Sequence, residues 1–169
     1  ARSAGYLYQA HLRHELAGRL GVQFHHPVHG YAEIIGVPDA VVEQFSKRRN
    51  EIEDLLTETG GTSARAAQVA TLETRKAKDY TVDADTLTDR WHTEAAAVGF
   101  GRIELLACLG HDRDVDWWNP ELEAEVFDML AGPRGLCERG ATFTRATVVE
   151  HLAILTESHC SAGDIAAAV

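Results

Sequence analysis

The stretch Gly5-Tyr6-Leu7-Tyr8-Gln9-Ala10-His11-Leu12-Arg13-His14-Glu15-Leu16-Ala17-Gly18-Arg19-Leu20 sets Leu12, Leu16 and Leu20 at intervals of four with polar residues between them. In an α-helix that interval stacks side chains on one face. The stretch therefore predicts an amphipathic helix, closed by Gly21, a residue that readily takes the left-handed conformation in which helices end. Immediately downstream the texture changes. Val22-Gln23-Phe24 and Tyr31-Ala32-Glu33-Ile34-Ile35 are short β-prone runs around Pro27 and Gly30, which favour a turn, so a small β hairpin is expected there.

Further along, helical signals dominate. Gly36 breaks the hairpin and Pro38 suits a first helical turn, where its missing N–H has no partner to lose; that helix is expected to reach about Thr59. Gly60-Gly61 ends it, and Thr62 or Ser63 caps a third helix through Lys78, rich in alanine. Asp83 or Asp85 caps a fourth, ending near Gly99. A short apolar piece (Ile103 to Leu109), an acidic loop from Gly110 to Pro120 and a helix from Pro120 to Ala131 follow. Gly132-Pro133 and Gly135 stop that helix; Thr144 caps another lined by Val148, Leu152 and Leu155, and Ser161 with Asp164 has capping-box spacing. The expected class is mainly α with one small hairpin, in two parts joined near residues 100 to 118.

Composition narrows the function. The chain has 169 residues, 45% hydrophobic and 25% charged, a mixture that excludes global disorder. No run approaches the roughly 20 apolar residues of a membrane span. Tyr6-Leu7-Tyr8 is soon followed by charged residues where a signal peptide would be apolar, so a cytoplasmic location away from membranes is expected. Cys108, Cys137 and Cys160 are too far apart for a zinc site or a disulfide framework and read as buried or idle thiols. Net charge is -10, yet residues 1 to 80 hold ten Lys/Arg against ten Asp/Glu, whereas residues 81 to 169 hold six against sixteen. The acidic excess lies wholly in the second part, and the first carries two compact basic clusters that suit phosphates locally.

Those clusters are Phe45-Ser46-Lys47-Arg48-Arg49 and Thr74-Arg75-Lys76-Ala77-Lys78. On a helix running to Lys78, Arg65 and Lys76 are eleven residues apart, close to three turns, and share a face; Arg75 and Lys78 form an adjoining ridge. From charge alone the stripe reads more readily as a solvated face, with Glu73 pairing to its neighbours, than as a binding surface.

The order of several patterns decides otherwise. Leu7 to Leu16, Glu33-Ile34-Ile35-Gly36-Val37-Pro38, Phe45 to Glu53, Thr62 to Gln68 and Thr74 to Lys78, continuing to Trp91, together resemble the MobF-type conjugative relaxases. Ala141-Thr142-Phe143-Thr144-Arg145 looks like the lead-in to the helicase part of that family. In such proteins a tyrosine attacks a DNA phosphate polarised by a metal on three histidines, and a helicase follows. The resemblance implies a segment lying after the histidine triad and before the helicase nucleotide loop, and therefore neither cofactor nor metal, nor cutting by this segment alone. It implies that residues 1–99 close the relaxase domain with helices that cover single-stranded DNA, that 100–140 form an acidic linker and helix, and that 141–169 begin the helicase region. The expected phosphate contacts are Lys47, Arg48, Arg49, Arg65, Arg75, Lys76 and Lys78, with one hydrogen bond from Ser46; Phe45 is expected in the core. The expected partners are single-stranded DNA, the rest of the relaxase–helicase polypeptide and proteins of the conjugation machinery.

Other patterns carry less. Tyr6 and Tyr8 lack a histidine cluster before them and read as packing residues, since an activated nucleophile needs a base or metal nearby. His25, His26 and His29 occupy a turn without a ligand-spaced carboxylate or thiol. Asp112, Asp114, Asp116 and Glu123 match four positions of a calcium loop, but Trp117 stands where that loop needs glycine. His92-x-Glu94 lacks the Pro-Cys-x-x-Cys of zinc deaminases. The competing function is a protein-interaction module using the acidic second part, with Trp91, Trp117 and Trp118 as anchors.

Overall fold

The computed structural model describes residues 2–75, 83–111, 118–138 and 140–169. Among them the helices are α1 (Arg2–Leu20), α2 (Asp39–Phe45), α3 (Lys47–Thr59), α4 (Ala64–Glu73), α5 (Ala84–Ala97), α6 (Arg102–Ala107), α7 (Pro120–Ala131), α8 (Arg145–Leu155) and α9 (Ala162–Ala167). The chain is mainly α-helical, and no described helix is long and apolar enough to cross a membrane.

Most helix starts follow local chemistry. The side chains of Ser63, Asp83 and Asn119 accept the N–H of the residue three positions on, and Thr144 with Thr147 and Ser161 with Asp164 close reciprocal capping boxes. Each such cap is worth about 1 kcal/mol because it satisfies an N–H that has no helical partner.

Three expectations are revised. The helix expected from Pro38 to Thr59 divides at Ser46, whose Oγ donates to the Val42 carbonyl at 2.7 Å and whose backbone leaves the helical region at φ −82, ψ 32. A serine hydroxyl there competes with the helical hydrogen-bond pattern. The helix expected to reach Lys78 ends at Glu73, with Thr74 as its cap; Lys76 and Lys78 lie outside the described residues. Between Val22 and Ile35 the chain reverses, but instead of hairpin strands it forms the isolated antiparallel bridges Phe24–Ile34 and Val28–Tyr31. His29 and Gly30 turn with φ of 52 and 85, the left-handed pair of a tight two-residue turn.

The chain packs as two compact units, one of residues 1–36 with 106–169 and one of residues 37–105. The discontinuous unit has its core around α8, on which α1, α7 and α9 pack: Tyr6, Ala10, Val126, Leu130, Leu152, Ala153, Cys160 and Ile165. On α1 the buried residues are Tyr6, Ala10, Arg13 and Ala17, while Leu20 is exposed. Leu12 and Leu16 are half-buried, so the leucine stripe flanks the packing face and does not form its centre; Ala10 and Ala17 are small and let α8 come close. Gly110 and His111 donate to the carbonyls of Leu20 and Gly21 and tie the return segment to the end of α1. Burial lifts the Cys160 thiol to about 12, with Asp164 and Glu123 adding to the shift.

Arg13 organises this unit. It is 2% exposed and donates to three backbone carbonyls, Gly30 at 2.9 Å, Ala153 at 2.6 Å and Glu157 at 3.0 Å. Burial lowers its pKa, and the Glu157 carboxylate partly offsets the shift. The Ala153 carbonyl belongs to the last turn of α8 and the Glu157 carbonyl lies just beyond it, at the negative end of the helix, where a cation is favoured. Gly30 has a second constraint, because a Cβ there would stand 2.7 Å from Cδ1 of the buried Tyr6 ring. Gly30→Ala combines that overlap with a positive φ and is expected to cost about 2 kcal/mol. Urea denaturation measures it; an unchanged midpoint would show that the Tyr6 ring gives way.

The continuous unit has a thinner core, with α3 on α4 and α2 against α3 and α5. Among the described residues, Val41, Ala70 and Phe100 are its buried apolar side chains.

Candidate nucleic-acid interface

Five of the expected phosphate contacts, with Ser46, are described, all in the continuous unit. Lys47, Arg48 and Arg49 form the first turn of α3, a helix with no acidic residue in that turn and no side-chain cap. Three cations therefore stand at the end of a helix that already carries partial positive charge, an arrangement that opposes the dipole and favours an anion.

Their present partners differ. Lys47 Nζ lies 2.6 Å from Glu94 Oε2, and Arg90 Nε holds the other oxygen at 2.9 Å. Glu94 sits below its usual pKa, first through the Lys47 hydrogen bond and then through Arg90. With Glu43, Glu51 and Asp54 lining a depression beside it, Lys47 is well compensated. Arg48 donates to the carbonyls of Thr71 at 2.6 Å and Thr74 at 3.4 Å, so it closes the C-terminal end of α4. Arg49 pairs with Glu53 one turn on, with its side chain 78% exposed; an exposed pair of this kind is worth less than about 1 kcal/mol and is readily exchanged. Ser46 uses its hydroxyl proton on Val42. Arg65 and Arg75 are exposed, and their side chains have no partner among the described residues.

The bonds from Arg48 bring together what the sequence separates. They fasten the first turn of α3 to the last turn of α4, so Arg75, next to Thr74, adjoins the first cluster. Because α4 ends at Glu73, Arg75 does not continue the helical ridge expected from Arg65. Arg65, near the other end of α4, is separated from Arg75 by roughly the 15 Å that ten helical residues span. Sequence reading missed the role of Glu94, although its spacing from Arg90 is that of a helical ion pair, and it placed Phe45 in the core where the side chain is 41% exposed.

Elsewhere the described residues hold no group of three His, Cys, Asp or Glu side chains arranged for a metal. Tyr6 is buried and its hydroxyl accepts a hydrogen bond from Arg2 at 3.0 Å. Trp118 packs against the core of the discontinuous unit, and Asp112, Asp114, Asp116 and Trp117 lie outside the described residues.

A family model described as TrwC relaxase matches residues 1–98. No curated protein and no solved structure matches the chain.

Proposed function

Since the chain belongs to the TrwC relaxase family, we propose that it is a non-catalytic relaxase segment that holds single-stranded DNA at the transfer origin and links the relaxase to a helicase module. The observation that carries this reading is the basic first turn of α3, which contains no acidic residue and no side-chain cap, beside the exposed Arg75. Phosphate contacts need only charge and reach, and each one releases condensed counterions. Arg75, Arg65 and Arg49 contribute most, because they give up little to meet a phosphate. Arg48 acts by holding α4 in place, and Lys47 exchanges Glu94 for phosphate only at a cost. Lys76 and Lys78 follow Arg75 in the sequence and add positive charge to that segment. Residues 100–140 then serve as connector and 141–169 lead into the helicase region.

The test is binding of labelled single-stranded DNA by the whole chain at two salt concentrations. Arg65→Ala/Arg75→Ala is expected to weaken binding at low salt by about tenfold or more and to flatten the slope of log affinity against log salt by about 0.7 for each phosphate no longer neutralised. Unaltered binding by that variant would refute the site. A second reading, a protein-interaction module of the conjugation machinery, draws on the exposure of Ile103, Leu105 and Leu106 on α6. Absence of DNA binding by the wild type at low salt would favour it.

A further inference from the structure

Among the described Phe, Tyr and Trp residues of the continuous unit, Phe100 is buried, whereas Phe45 is 41% and Trp91 50% exposed. Large aromatic side chains left half in water at adjoining positions mark a surface that something covers. Both are carried by helices that meet the basic first turn of α3. Phe45 is the last residue of α2, two positions before Lys47. Leu87, Glu94 and Ala95 on α5, with its cap Val98, are half-buried and mark the side turned toward its neighbours. Trp91 stands on that side, one turn before Glu94, the residue that grips Lys47. The α2–α5 packing and the Lys47–Glu94 pair therefore bring the two helices that carry these exposed rings to the same cationic turn.

We propose that Phe45 and Trp91 are stacking platforms for unpaired bases, so that the site selects single strands through its rings while its cations hold the backbone. The assignment rests on the DNA-holding reading given above. Charge favours this occupant over an apolar protein surface, because Lys47, Arg48, Arg49 and Arg90 would be costly to bury beneath such a surface, whereas Arg49, held only by an exposed pair with Glu53, can turn to a phosphate. Phosphate contacts alone are indifferent to whether a base is present. Rings add a contribution that needs the base, since every base has a face that stacks on an aromatic plane.

The experiment uses the whole chain with three labelled probes: an oligothymidine, an abasic strand of equal length and a duplex. The wild type is expected to bind oligothymidine about tenfold or more tighter than the abasic strand. Trp91→Leu and Phe45→Leu should each shrink that ratio, leaving abasic and duplex binding and the salt slope unchanged, and Trp91→Phe should retain most of it. If the wild type binds oligothymidine and the abasic strand equally, or if folded leucine variants keep the wild-type ratio, the stacking assignment is overturned while phosphate holding stands. A folded variant that loses affinity for all three probes alike also overturns it, by showing that the ring supports the fold. If Trp91→Leu does not fold, Phe45→Leu and Trp91→Phe decide the matter by the same ratio. No binding of any probe at low salt removes the DNA-holding reading and this one with it.

Discussion

Replacing Arg13 with leucine is expected to remove about 3 to 5 kcal/mol of stability from the discontinuous unit. The guanidinium is 2% exposed and supplies donors to the carbonyls of Gly30, Ala153 and Glu157. Leucine fills part of the volume but leaves three acceptors facing apolar atoms, and a polar group buried without a partner costs roughly 1 to 3 kcal/mol. Lysine restores the charge without the planar fork that reaches three separated oxygens, so Arg13→Lys should recover only part of the loss. Urea denaturation followed by circular dichroism reads both. A loss below about 1 kcal/mol for the leucine variant would mean that water enters and satisfies the carbonyls.

Shortening the chain to residues 1–105 is expected to melt α1 while α2 to α5 stay folded. That length keeps the whole continuous unit but removes α7, α8 and α9, which bury Tyr6, Ala10 and their neighbours. It also removes two of the three carbonyls that Arg13 holds. A helix the length of α1 is marginal in water without a packed face, so about 5 kcal/mol or more, the whole stability of the unit, should disappear. Hydrogen exchange separates the outcomes. Amides of α1 should lose their protection by several orders of magnitude, and those of α3 and α5 should keep theirs. Protection of α1 in the shortened chain would show that residues 1–36 hold together alone. The family match ends at residue 98, yet α1 within it packs on residues beyond it; similarity in sequence and the limits of a packed core are separate properties.

Much of the fold is legible in the sequence where the controlling forces are local. The caps at Ser63, Asp83, Thr144 and Ser161 need only a side-chain oxygen and an N–H within one turn, and the glycine after α1 is announced by its own freedom, although the close pass of the Gly110 and His111 backbone also requires it. The division at Ser46 is not legible, because a serine in a helical stretch can either point to water or turn its hydroxyl back on the chain. The end of α4 is not legible either, since an arginine from another helix takes its last carbonyls. At the site, residue types and clusters are visible in the sequence, but which cations remain unengaged is not. Lys47 and Arg48 look alike in the chain until Glu94 claims one and α4 the other.

The sequence by itself determined the helical class, most helix starts, the charge asymmetry and the family, because each depends on neighbours in the chain or on residue order. Its opening leucines announced a helix without saying which face is buried. Only the tertiary structure decided that the small residues Ala10 and Ala17, with Arg13 between them, face the core. Burial depends on which distant elements come close, and close approach of α8 rewards small side chains and a guanidinium that can satisfy its carbonyls. The convergence of Arg75 with the start of α3 has the same origin, for it passes through hydrogen bonds between residues more than twenty positions apart.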